Sequence, residues 1–120
     1  MKTITIDGAE YSLTPVTTWI KQEIAGKTLE WGDVAPKGMT WEEAETWCVE
    51  QGGRLPTSIE LLTALEQRVE GFRNGEYWSV TPYMPTRYPN SVMYVCFYSG
   101  YLSYTDKTYV YDVRCVRDVK

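Results

Sequence analysis

Residues 39–61 read MTWEEAETWCVEQGGRLPTSIEL, and this stretch decides the fold class. Thr40-Trp41-Glu42-Glu43 is a capping box: the Thr40 hydroxyl is placed to accept from the Glu43 N–H, and the Glu43 carboxylate reaches back to the Thr40 N–H. Glu42, Glu43 and Glu45 gather at the positive end of the helix dipole. Trp41, Ala44, Trp47 and Cys48 recur at helical spacing and form one apolar face. Gly52-Gly53 ends the helix. After Arg54-Leu55-Pro56 the device repeats, with Thr57 as cap and Glu60 completing the box. Leu61, Leu62, Leu65 and Val69 then line a second helix expected to run to about Arg68.

Outward from this pair the pattern changes. Thr3–Ile6 alternates, Asp7-Gly8 turns, and Glu10–Leu13 alternates back, which predicts an N-terminal hairpin ended by Pro15. Trp19, Ile20 and Ile24 fit a short helix, Leu29 to Trp31 a strand, and Gly32 to Gly38 a loop. Beyond residue 76 lie nine of the ten tyrosines, and helical periodicity is gone. Tyr77 to Thr81 reads as a strand, followed by a loop with Pro82, Pro85 and Pro89. Val92 to Tyr98, Tyr101 to Thr105 and Tyr109 to Arg117 complete an antiparallel meander. Two helices before a meander make one α+β domain over residues 1–120.

Composition narrows the function classes. The net charge is −4, and no basic stripe exists to neutralise phosphates, so general nucleic-acid binding is not expected. No apolar run has the length to span a bilayer. Met1 to Gly8 reads as a strand and not as a signal peptide, so the expected location is the cytoplasm. The chain has no histidine, which removes the commonest general base and metal ligand. Glu42 and Glu43 are accounted for by helix capping. No cofactor, metal or catalytic residue is expected.

Several blocks in order carry a resemblance: Met39 to Cys48, Gly52 to Thr57 with Glu60-Leu61, Tyr77-Trp78-Ser79, and Val113 to Arg117. Together, over roughly residues 39–118, they resemble the bacterial and phage family named for the C-terminal domain of a collagen-like adhesin. That resemblance implies a variant of the C-type lectin-like fold, with the N-terminal hairpin where the two termini share a sheet. It also implies that Cys48 on the helix faces Cys115 on the last strand, reduced in a cytosol and bridged if exported. Calcium-dependent sugar binders of that fold carry Glu-Pro-Asn or Gln-Pro-Asn with Trp-Asn-Asp. Tyr88-Pro89-Asn90 lacks the first member, and Trp-Asn-Asp is absent.

The residues divide into two groups. Trp41, Trp47, Cys48, Arg54, Trp78, Arg114 and Cys115 are expected to hold the fold, Arg54 by tying backbone carbonyls at the interhelical turn. Tyr83, Arg87, Tyr88, Asn90, Tyr101 and Tyr104 are expected to meet a macromolecular partner, because aromatic rings give contact area at low entropic cost. A protein is the first candidate. The resemblance adds a phage product that inhibits a host factor in the host cytoplasm. Two alternatives stand beside it. One is a calcium-independent glycan- or receptor-binding domain, adhesin-like or tail-associated; the other is a structural subunit of a phage particle, which would place the chain at a cell surface or in a virion.

Overall fold

A computed structural model describes residues 3–6, 9–12, 19–24 and 26–119. In chain order the elements are β1 (Thr3–Ile6), β2 (Ala9–Ser12), β3 (Ile20–Ile24), β4 (Lys27–Val34), α1 (Trp41–Glu50), α2 (Ser58–Glu66), β5 (Glu76–Pro82), β6 (Ser91–Cys96), β7 (Tyr101–Asp106) and β8 (Arg114–Val119). The class is α+β, with three separate antiparallel sheets in place of one: β1-β2, β3-β4-β8 and β5-β6-β7.

Both capping boxes form. Thr40 N–H donates to the Glu43 carboxylate at 3.0 Å and Thr57 N–H to Glu60 at 2.8 Å, with the reciprocal bonds present. At the end of α1 the Gly53 N–H reaches the Cys48 carbonyl and the Gly52 N–H the Val49 carbonyl, a Schellman closure with Gly52 at φ +83°. The second helix stops at Glu66, earlier than expected, because Arg68 takes the left-handed conformation and closes it in the same way.

Three expectations need correction. Ile20 to Ile24 is a strand, not a helix: Ile20, Gln22 and Ile24 turn inward, and the polar Gln22 in the buried slot conceals the alternation. That glutamine is satisfied by Trp31 Nε1 at 2.7 Å and by Gln67 at 2.9 Å. The strand of Leu29 to Trp31 extends through Gly32 to Val34, residues read as loop. The last strand leaves the meander. Residues 109–113 carry only isolated bridges, Met39 with Tyr111 and Tyr77 with Asp112, and β8 then crosses to pair with β4, Glu30 opposite Arg117.

The hairpin strands β1 and β2 pair with each other, while β3-β4 is the strand pair that joins the C-terminal strand. The Asp7-Gly8 turn, Leu13 and Pro15 lie outside the described residues. Strand alternation feeds two cores. Trp78, Val92, Val113 and Cys115 pack with Ala44, Trp47 and Cys48 of α1. Tyr77, Val95 and Val116 pack with Leu61 and Ala64 of α2 and with Leu29 and Trp31 of β4.

Candidate functional site

The residues expected to hold the fold lie where they can do so. Trp47 and Trp78 are buried, and Trp78 Nε1 donates to the Met39 carbonyl at 2.7 Å. Trp41 is only partly buried; its Nε1 donates to the Ser79 carbonyl and its ring lies 4.4 Å below Lys107 Nζ. Arg54 is tied differently from expectation. It donates to the Glu60 carboxylate at 2.8 and 2.9 Å and to Asp118 at 2.9 and 3.0 Å, with Leu55 the one carbonyl it meets. Burial raises the Glu60 pKa, but the Arg54 hydrogen bond and its neighbours outweigh that and hold it low. Arg114 is 2 % exposed, and both of its hydrogen bonds go to carbonyls, Gly32 and Glu70.

Cys48 and Cys115 are buried free thiols in the same core cluster. Burial, and then Cys48, push the Cys115 thiol far up. Cys96 is also buried, at the end of β6. Burial raises its pKa, yet hydrogen bonds from Ser99 and Tyr98 prevail and bring it below the ordinary thiol value. The thiolate is the reactive form, so Cys96 is expected to be the first cysteine alkylated by iodoacetamide as the fold breathes. Peptide mapping after limited labelling checks this; earlier modification of Cys48 or Cys115 would contradict it.

Five of the tyrosines past residue 76 are exposed, while Tyr77 and Tyr94 enter the core, the Tyr77 hydroxyl accepting from the Arg73 N–H at 2.7 Å. Between β5 and β6 the loop is tightly wound: Arg87 and Tyr88 N–H both reach the Met84 carbonyl at 2.9 and 2.8 Å, and Ser91 N–H reaches Tyr88 at 3.1 Å. Met84 pays for the turn with φ +39°, a conformation costly for a side-chain-bearing residue. This winding sets Tyr83 flat on Tyr104 of β7, ring centroids 3.7 Å apart and 4° from parallel. Tyr88 lies alongside, 5.8 Å from Tyr83 and 6.4 Å from Tyr104, with the Arg87 guanidinium 5.7 Å from its ring. Tyr88 remains 38 % exposed and Tyr104 45 %.

Asn90 borders a neighbouring open hollow of about 370 Å³ that Thr40, Glu42, Asp106, Lys107 and Thr108 also line. Of the two carboxylates there, Asp106 is engaged: the Thr108 N–H and hydroxyl donate to it and lower its pKa. Among the described residues no three His, Cys, Asp or Glu side chains gather to hold a metal. The chain matches the family described as Domain of unknown function (DUF8780) over residues 31–117. The chain belongs to that family. The match takes in both helices and every residue of the tyrosine cluster, and it leaves out the β1-β2 hairpin and β3. No curated protein matches this sequence. Among the described residues no helix is long and apolar enough to cross a membrane.

Five of the six residues expected to meet a partner therefore fall on or beside one surface, and Tyr101 does not. Side chains alternate along β7, so Tyr101 sits on the opposite face from Tyr104. There it shares the face of Tyr94, which packs on Tyr111, and Tyr109 follows in the same layer. The sequence carries the signal for this split, because positions 101 and 104 differ in parity. Phe72 is a residue that strand and helix patterns missed: it joins Trp31, Tyr77 and Phe97 from a connecting segment.

Proposed function

We propose that this domain is a non-enzymatic recognition module that binds a protein partner through Tyr83, Tyr88 and Tyr104, flanked by Arg87 and Asn90. One observation carries the reading: three half-exposed rings are fixed in a near-parallel group by a hydrogen-bonded loop on a sheet. Rings already held in place lose little entropy on binding, so their contact area converts efficiently into affinity. Four of the acidic side chains are occupied by structural bonds, which supports a role without catalysis. Glu43 and Glu60 serve helix caps, Glu60 and Asp118 hold Arg54, and Asp106 accepts from Thr108.

The proposal includes the C-type lectin-like variant and kinship with the collagen-like adhesin family. Support comes from the two successive helices, the pairing of β4 near the start with the final strand β8, and the burial of Cys48 and Cys115 in one core cluster.

Affinity capture with the wild-type chain and with a Tyr83→Ala/Tyr88→Ala/Tyr104→Ala variant tests the function. A protein retained by the wild type should bind the variant about 30-fold or more weakly, the loss typical of clustered aromatic anchors. Equal retention by both would refute the assigned surface. Retention on a glycan array with no captured protein would refute the class of partner.

A further inference from the structure

The third sheet ends in β7, and that edge is open. Lys107 N–H donates to the Asn90 carbonyl at 2.9 Å, which sets the phase of the β6-β7 ladder. In an antiparallel ladder such bonded pairs alternate, so Tyr101, Ser103 and Thr105 bond inward to β6. The backbone groups of Leu102, Tyr104 and Asp106 then face outward. Tyr109 N–H takes the Asp106 carbonyl at 3.2 Å, and no described backbone group reaches Leu102 or Tyr104.

Sheet edges normally carry protection such as charge, proline, a bulge or a covering segment. Edge strand β3 carries Lys21 and Glu23, and β5 has a register irregularity before Pro82 and a bridge to Asp112. Over Tyr101–Thr105 there is no charge, proline or glycine, and the register with β6 is unbroken.

We propose that β7 of one molecule pairs antiparallel with β7 of a second copy about a two-fold axis at Ser103, joining two three-stranded sheets into one of six strands. The strand is complementary to itself in that register. Leu102 falls opposite Tyr104 of the second copy, and these are the two residues whose backbone groups face outward, so each such pair exchanges both of its bonds. Tyr101 falls opposite Thr105, and Ser103 opposite Ser103; aromatic–aliphatic, aromatic–β-branched and hydroxyl pairs are the kinds that stabilise neighbouring strands. Asp106 lies beyond the neutral overlap, opposite Gly100, so two chains of net charge −4 meet there without opposing like charges. Shifting the axis to Tyr104 would set Asp106 against Leu102. The two-fold stands perpendicular to the sheet, so both Tyr83–Tyr88–Tyr104 clusters come to the same face, side by side. The pairing holds whether or not that face binds the proposed partner.

Light scattering of the full chain at about 100 μM, enough to populate a dimer with a dissociation constant of about 1 μM, should give about 28 kDa, twice the 13.9 kDa of one chain. Ser103→Lys places two ammonium groups together at the axis and should return the mass to that of one chain, with a thermal melt matching that of the wild type diluted to its monomer. Ser103→Cys should cross-link under mild oxidation, because directly opposed non-bonded residues lie about 4.5 Å apart at Cα, within disulfide reach. Thr105→Cys, displaced from its own mate by about 13 Å, should not. Cys48 and Cys115 are buried, and a Cys96→Ser background keeps the native thiol expected to react first from competing. A wild type that is monomeric at every concentration would overturn the proposal, as would equal cross-linking at positions 103 and 105. If Ser103→Lys fails to fold, the cysteine pair still decides.

Discussion

Replacing Arg114 with alanine is expected to remove about 3–5 kcal/mol of stability, a large share of the 5–15 kcal/mol typical of such domains. The side chain ties three segments that are distant in sequence. Its Nε donates to the Gly32 carbonyl of β4 at 2.5 Å, and its Nη1 donates to the Glu70 carbonyl beyond α2 at 2.7 Å. The guanidinium lies 4.4 Å from the Phe72 ring and 5.8 Å from Trp31. Alanine strands two carbonyls, each at a cost of about 1–3 kcal/mol, and removes the stacking as well. Arg114→Lys keeps the charge but loses the planar fork, and should fall between the two. Urea unfolding followed by tryptophan fluorescence gives the differences. A loss below about 1 kcal/mol for the alanine variant would mean that water replaces both bonds at little cost.

The second large effect concerns adjacent glycines with different reasons to be glycine. At Gly53 an added Cβ would stand 2.7 Å from the Val116 carbonyl oxygen, a backbone atom that accepts the Arg54 N–H at 2.8 Å. Relieving that contact means moving the interhelical turn off β8, so Gly53→Ala should cost about 2–4 kcal/mol. At Gly52 a Cβ meets open space, and only its φ of +83° resists substitution. Gly52→Ala should cost about 1 kcal/mol. Equal midpoint shifts for the two variants in thermal or urea denaturation would contradict the close approach at Gly53.

What the sequence revealed and what it concealed separate along physical lines. The capping boxes at Thr40 and Thr57 act within four residues, so their geometry is written where it occurs. The Gly52-Gly53 stop is local in the same sense. The partner of β8 is not local. Its alternation is the same whether it joins β7 or β4, and the pairing of Glu30 with Arg117 spans most of the chain. Gln22 misleads because a satisfied buried amide breaks the apolar alternation that identifies a strand. At the tyrosine surface, composition marks the region, and parity along β7 already divides Tyr101 from Tyr104. The stacking of Tyr83 on Tyr104 depends on the wound loop from Met84 to Ser91, which only the folded chain defines.

The central claim is that a protein partner docks on the tyrosine cluster. Site-specific photo-crosslinking tests it most directly, with p-benzoylphenylalanine replacing either Tyr88 in the cluster or the exposed Lys27 on β4 of another sheet. The account predicts one protein covalently joined from position 88 and none from position 27. Cross-linking of that protein from position 27 with none from position 88 would contradict it.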